Sequence, residues 1–277
     1  MNPIILRSPA KLNLVLDLLH KREDGYHEVE FVMQELDIHD TITLETIHDS
    51  HEIKISCTDH SVPTDEKNSC HKAAKLMQEE LHKQNKPVQG VSIHIEKHIP
   101  SAGGLGGGSS NAASVLKGLN DLWELRLSKN VLKSIAGKIG SDDSFFIEGG
   151  TCIAKGRGEI IVQIEKCPRL DLAFIVPPVK VPADKTRWIY SHYDMKKVET
   201  HPSVQRMHEA IRSGDIEQVA LAMGNVFETL ELVEYAPVFH LIDTLKQFNG
   251  VHTAVLAGAG PTVVAVCDSQ KTASQII

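Results

Sequence analysis

The chain has 277 residues, 42% of them apolar and 23% charged, and a net charge of −7. That balance excludes wholesale disorder, and no apolar run approaches the roughly 20 residues needed to span a bilayer. The acidic excess argues against a protein that grips a nucleic-acid backbone, leaving only a local basic pocket for a small anion.

The opening MNPIILRSPAKLN has neither the basic start nor the long apolar stretch of a secretory signal, so a cytoplasmic protein is expected, as a monomer or weak homodimer. Five cysteines lie at irregular intervals without a C-x-x-C pair and read as reduced thiols. The H-E pairs at His27, His51 and His208 lack the second histidine of H-E-x-x-H, so no transition-metal site is expected.

Along the chain, residues 4–18 alternate as a strand, with Lys11 and Asn13 on one face and Leu12, Leu14 and Leu16 on the other. Asp24-Gly25 is a turn signal leading into strands over Val29–Leu36, Thr41–Leu44 and Ile53–Cys57. Ala73, Ala74, Met77 and Leu81 mark an amphipathic helix over Asn68–Lys83, and Val91, Ile93 and Ile95 a strand ending at Pro100. A helix is expected from Asn111, with Val115, Leu116 and Leu119 in its buried stripe, and another over Ser128–Ile139 capped by Ser128. A strand pair turns at Gly156-Arg157-Gly158. Proline density rises beyond residue 165, which places a domain boundary there, giving units 1–163 and 164–277. Helices are expected around 203–213, 215–230 and 236–248, then a glycine turn at Gly258–Gly260 and a strand over Thr262–Cys267. The pattern is α+β, not a regular βαβ alternation.

Between strand and helix lies Pro100-Ser101-Ala102-Gly103-Gly104-Leu105-Gly106-Gly107-Gly108-Ser109-Ser110. Glycines let the backbone approach a ligand closely, and the free N–H groups of a helix start favour an anion. A Walker A loop fails because Ser109 stands where lysine is required, and G-x-G-x-x-G fails because Ser109 follows Gly104 and Gly106 at the third glycine.

This loop resembles the phosphate loop of the galactokinase–homoserine kinase–mevalonate kinase–phosphomevalonate kinase (GHMP) superfamily. Ser8-Pro-Ala-Lys-Leu-Asn-Leu14, Asp24-Gly-Tyr-His27, Ile139-Gly-Ser-Asp142 and Ala154-Lys-Gly-Arg-Gly-Glu159 resemble its branch acting on a cytidyl-linked alcohol in non-mevalonate isoprenoid synthesis. The resemblance implies a two-domain fold, with an N-terminal unit like domain 2 of ribosomal protein S5 and a ferredoxin-like C-terminal unit. It also implies ATP as phosphoryl donor, Mg²⁺ as its counter-ion, and a cytidyl small molecule as acceptor. By resemblance Lys11 and Asp142 are catalytic, residues 100–110 with Asn68 and Lys97 bind ATP, and Asn13, Tyr26, His27, Tyr190, Gly258 and Gly260 bind the acceptor. Trp188 is a weaker aromatic candidate, and Asp143 reads as structural or solvated.

Two departures are visible. Ala259 stands where the superfamily's second glycine motif usually carries Ser or Thr, and the superfamily pattern continues past Ile277 into a closing strand, so an incomplete C-terminal unit with an open sheet edge is expected. A sister kinase for another small alcohol, or a non-catalytic nucleotide-binding relative, are the competing readings. Asp24-Gly-Tyr-His27 weighs against the first, and the presence of both Lys11 and Asp142 against the second.

Overall fold

A computed structural model describes residues 3–182 and 184–277. The chain opens with two long strands, β1 (Ile4–Lys21) and β2 (His27–Ile47), followed by β3 (Ile53–Cys57), α1 (Ser69–Lys83), β4 (Gly90–Glu96) and α2 (Gly107–Leu122). Next come α3 (Lys129–Ala136), α4 (Asp143–Glu148), β5 (Thr151–Lys155), β6 (Ile160–Gln163), β7 (Asp171–Ile175) and α5 (Lys185–Ser191). Then α6 (Val204–Ser213), α7 (Ile216–Ala222), β8 (Gly224–Asn225), α8 (Ala236–Lys246), β9 (Val251–Leu256), β10 (Val263–Cys267) and α9 (Gln270–Ile276) complete it. No helix among the described residues is long and apolar enough to cross a membrane.

The strands form two sheets. In the first the order is β3-β4-β2-β1-β8, and β2 is long enough to pair with β4 along Thr41–Ile47 and with β5 along Phe31–Gln34. In the second, β7-β10-β9, all pairing is antiparallel. At the edge of the first sheet Val15 and Leu16 of β1 pair in parallel with Gly224 and Asn225 of β8, and the Asn225 side chain donates to Leu256 O of β9 in the second.

Helices α1 and α2 cover one face of the first sheet. Ala73, Ala74, Met77, Val115, Leu116 and Leu119 are fully buried there, each large side chain contributing about 1.5–3 kcal/mol of burial. The Asn68 side chain caps α1 by accepting from Cys70 N at 2.8 Å, while His82 and Lys83 sit in the last turn, where the helix dipole favours cations.

The structure corrects several expectations. The leucines of β1 do not share a face: a register shift between Asn13 and Val15 sends Leu12, Leu14 and Val15 into one core cluster and Leu16 and Leu18 into the other. Helix α2 starts at Gly107, not Asn111, because Gly106 takes a left-handed φ of 74° as its N-cap and the last glycines of the loop are already helical. The expected helix over 215–230 ends at Ala222. There Asn225 donates through its amide to Leu256 O and Gly258 O, at 2.9 and 2.8 Å, and tertiary bonds replace helical ones. The helix capped by Ser128 stops at Ala136, ahead of Gly137. Helices α4 and α5 and strand β9 arise in segments that carry no periodic signal of their own.

Candidate active site

A cleft of about 1260 Å³ lies between the glycine-rich loop, β1, α5 and the second glycine turn, room enough for two ligands end to end. Its walls include Pro100–Ser109, Asn68, Lys97, Lys11, Asn13, Asp142, Tyr26, His27, Tyr190 and Gly258.

Several carbonyls of the glycine-rich loop hold it in place, while Gly103 N is spent on Pro100 O and Ser110 N on Gly106 O. Leu105 O accepts from Lys11 N at 2.9 Å, Gly106 O from Ser110 N at 2.9 Å, and Gly103 O from Thr262 N at 3.4 Å. The N–H groups of Gly107, Gly108 and Ser109 occupy the first turn of α2, where an intrahelical acceptor is lacking and the dipole favours an anion. Gly104, at φ 88°, fits only because it has no side chain: a Cβ there would come within 1.9 Å of Ala257 O. The second glycine turn is built the same way. Gly258 O accepts from Asn225, Ala259 O from Tyr235 Oη at 2.7 Å, and Gly260 O from Lys185 Nζ. Among the described residues the Gly258 and Ala259 amides have no protein acceptor.

Between these two turns Lys11 Nζ lies 3.4 Å from Asp142 Oδ2, in side chains that are 5% and 31% exposed. Asp142 sits at the N-cap of α4 yet makes no capping bond, so its carboxylate is available to the cleft. Lys11 also donates to Asn13 Oδ1, and Asn13 Nδ2 is a buried donor without an acceptor, the state of a group awaiting a ligand oxygen.

At the far end the His27 ring lies 5.7 Å from Tyr190 and 5.8 Å from Tyr193, while Tyr26, 54% exposed, carries Arg157 over its ring at 4.9 Å. Burial, then the charge of Lys21, lowers the His27 pKa, so the imidazole stays neutral with one donor and one acceptor. An aromatic recess with such an edge suits a flat heterocycle.

The GHMP kinases N terminal domain matches residues 68–150 and the GHMP kinases C terminal domain residues 207–277. A 4-diphosphocytidyl-2-C-methyl-D-erythritol kinase of Geobacillus kaustophilus is 40% identical over 271 residues, covering 98% of this chain and 90% of its own length. Its counterpart in Listeria monocytogenes is 41% identical over 273 residues, covering 99% and 90%. The chain belongs to the GHMP kinase family. A solved 4-(cytidine 5'-diphospho)-2C-methyl-D-erythritol kinase superposes with a TM-score of 0.78 at 25% identity, covering 98% of this chain and 93% of that one. The Methanococcus jannaschii mevalonate kinase, 16% identical over 99% of this chain and 93% of its own, shares the fold with a TM-score of 0.71.

Within this GHMP kinase frame, most of the residues singled out in the sequence meet in one cleft, with informative exceptions. Ser110 does not reach it: its side chain is fully buried and accepts from Ser8 Oγ at 2.8 Å. Gly260 lies behind the turn, packed on Leu256 and Tyr235, and contributes its carbonyl. Trp188 stacks on Tyr235 at 5.9 Å, away from the recess. Asn68 lines the cleft while its side chain is engaged with Cys70 N and Pro63 O. Lys97 is no surface lysine: it pairs at 2.5 Å with fully buried Asp40, whose other oxygen accepts from His98 N and Ile99 N at 2.8 Å. Ser101 donates to Asp59 at 2.6 Å, which helps hold that carboxyl down at about 2.

Sequence reasoning missed Tyr193, whose hydroxyl donates to Leu18 O at 2.6 Å, and Lys185, which no periodicity marks. Asp143 is not solvated: it is 1% exposed, and its Oδ1 has no hydrogen-bond partner among the described residues. Burial lifts this carboxyl from 3.8 to about 7, so between those values the native state holds a proton that the unfolded chain has released. Stability therefore falls as pH rises through that window and stays low above it. Asp143→Asn is expected to melt higher than wild type by a margin that grows from about pH 4 to about pH 7 and levels off above that. A margin independent of pH in a thermal-melt series would show that the carboxyl does not titrate there.

Proposed function

We propose that this protein transfers the γ-phosphoryl group of ATP to the 2-hydroxyl of 4-diphosphocytidyl-2-C-methyl-D-erythritol. The observation that carries the reading is the Lys11–Asp142 pair, 3.4 Å apart, placed in one cleft with the glycine-loop helix start and the aromatic recess. The glycine-loop amides hold the ATP phosphates, with Lys97 alongside. The recess of Tyr26, His27 and Tyr190 takes the cytosine, and Asn13 Nδ2 donates to an oxygen of the acceptor's polyol end.

The hydroxyl oxygen forms a bond to the γ-phosphorus as the bond from phosphorus to the bridging oxygen breaks, and ADP leaves. The hydroxyl proton passes to Asp142. The Lys11 ammonium offsets negative charge that builds on the transferred group, and such preorganised groups act most strongly where water is excluded. Mg²⁺ fits as the ATP counter-ion: the Ser109 hydroxyl, a hard oxygen, lines the cleft with the glycine loop, and this ion would be held there mainly by phosphates and water. When bound it neutralises phosphate charge. In this reading residues 1–163 form the ATP-binding and catalytic unit and 164–277 the acceptor side, working in the cytoplasm where ATP is supplied.

The test is ADP release measured with the cytidyl alcohol, mevalonate and homoserine side by side. The cytidyl alcohol is expected to give the highest kcat/KM by at least about a hundredfold, a discrimination that buried polar contacts readily supply. Preference for either of the other alcohols would overturn the substrate assignment.

A further inference from the structure

Lys185 opens α5 and is 9% exposed, yet no carboxylate lies within 4.0 Å of its ammonium among the described residues. Its one acceptor there is Gly260 O, so two of its three donors are unspent. A buried charge of this kind is costly unless something pairs with it. The side chain lines the cleft together with Lys11, Asn13 and Ala259, and the Asp142 carboxylate there faces Lys11. Burial, then the like charge of Lys11, pushes the Lys185 pKa down to about 8, as expected of two ammoniums that share a space made for anions.

The position says which anion. Lys185 and Tyr190 lie on the same helix, five residues and roughly 7 Å apart along its axis. Tyr190 borders the aromatic recess, and Lys185 lines the same cleft as that recess and Lys11. A nucleoside seated in the recess carries its phosphates one ribose away from the base, toward Lys185. Ala259 leaves the adjoining glycine turn without a side-chain hydroxyl, so the side-chain donors at this turn are the ammoniums of Lys185 and Lys11.

We propose that Lys185 binds a phosphate oxygen of the acceptor's diphosphate, so that the protein selects acceptors bearing phosphate over neutral alcohols with the same reacting end. This rests on the acceptor assignment made above.

The test is calorimetric titration of the intact protein, without ATP, with cytidine 5'-diphosphate and with cytidine, on wild type, Lys185→Met and Lys185→Gln. Methionine keeps the apolar stem, and glutamine can still donate to Gly260 without a charge. Both variants are expected to lose at least about tenfold in affinity for the diphosphate, with cytidine affinity unchanged. In turnover, KM for the cytidyl alcohol should rise about tenfold or more while KM for ATP stays within about twofold. Unchanged diphosphate affinity, an equal loss for cytidine, or a rise confined to KM for ATP would each overturn the proposal. If wild type binds neither ligand, the acceptor assignment itself falls and this proposal with it.

Discussion

Asp142→Asn is expected to lower kcat about a thousandfold, roughly 4 kcal/mol of transition-state stabilisation, while ATP affinity stays within about twofold. The asparagine preserves the shape of the group at the start of α4 but cannot take the hydroxyl proton. Structural damage should be small, because Asp142 makes no capping bond and its side chain is 31% exposed. Lys11→Met should cost a similar factor for a different reason: it removes the cation beside the transferred group and leaves Asn13 Oδ1 without its donor. The two losses should not add in the double variant, since lysine and aspartate act on one transition state. Single-turnover rates for the four proteins decide the matter. Equal rates for wild type and Asp142→Asn would remove the proposed base.

Gly104→Ala carries the largest expected effect on folding. A Cβ at this position would lie 1.9 Å from the backbone oxygen of Ala257, and at a φ of 88° that an L residue rarely adopts. Neither strand nor turn can yield without parting the two glycine turns, so a loss of about 2–5 kcal/mol is expected. The same shift would displace the turn at Gly258, whose Cβ position is 2.9 Å from Gly104 O and 3.4 Å from Lys11 Nζ, so catalysis should fall with stability. Gly108→Ala is the control: nothing lies within 4 Å of its Cβ position, and the residue is helical. There the melting temperature should hold or rise, because alanine is the better helix former. Similar destabilisation in both variants would mean that the loop as a whole, not the contact at Gly104, sets the cost.

Much of this protein follows from local pattern. The glycine run between an alternating strand and a periodic helix marks a loop able to approach a ligand closely, and Gly104 and Gly106 take the positive φ that glycine favours. The Asp24-Gly25 turn, the Asn68 cap and the apolar stripe of α1 are equally short-range, depending on residues within a few positions of one another. Lys11 and Asn13 share a face for the same reason.

Tertiary structure decided what local pattern does not encode. Leu16 turns away from Leu12 and Leu14 because β1 shifts its register against β2, and a bulge is a property of two strands together. Asn225 leaves a helical pattern because its amide finds carbonyls in the second glycine turn. Whether a charge is solvated, paired or bare depends on what lies across the fold. Lys97 meets Asp40, Asp143 is sealed from solvent, and Lys185 is buried with no carboxylate within 4.0 Å among the described residues. Sequence by itself determined which groups could do the chemistry. Only the folded chain set Lys11 against Asp142, since electrostatic partners are chosen by distance in space and not by position along the chain.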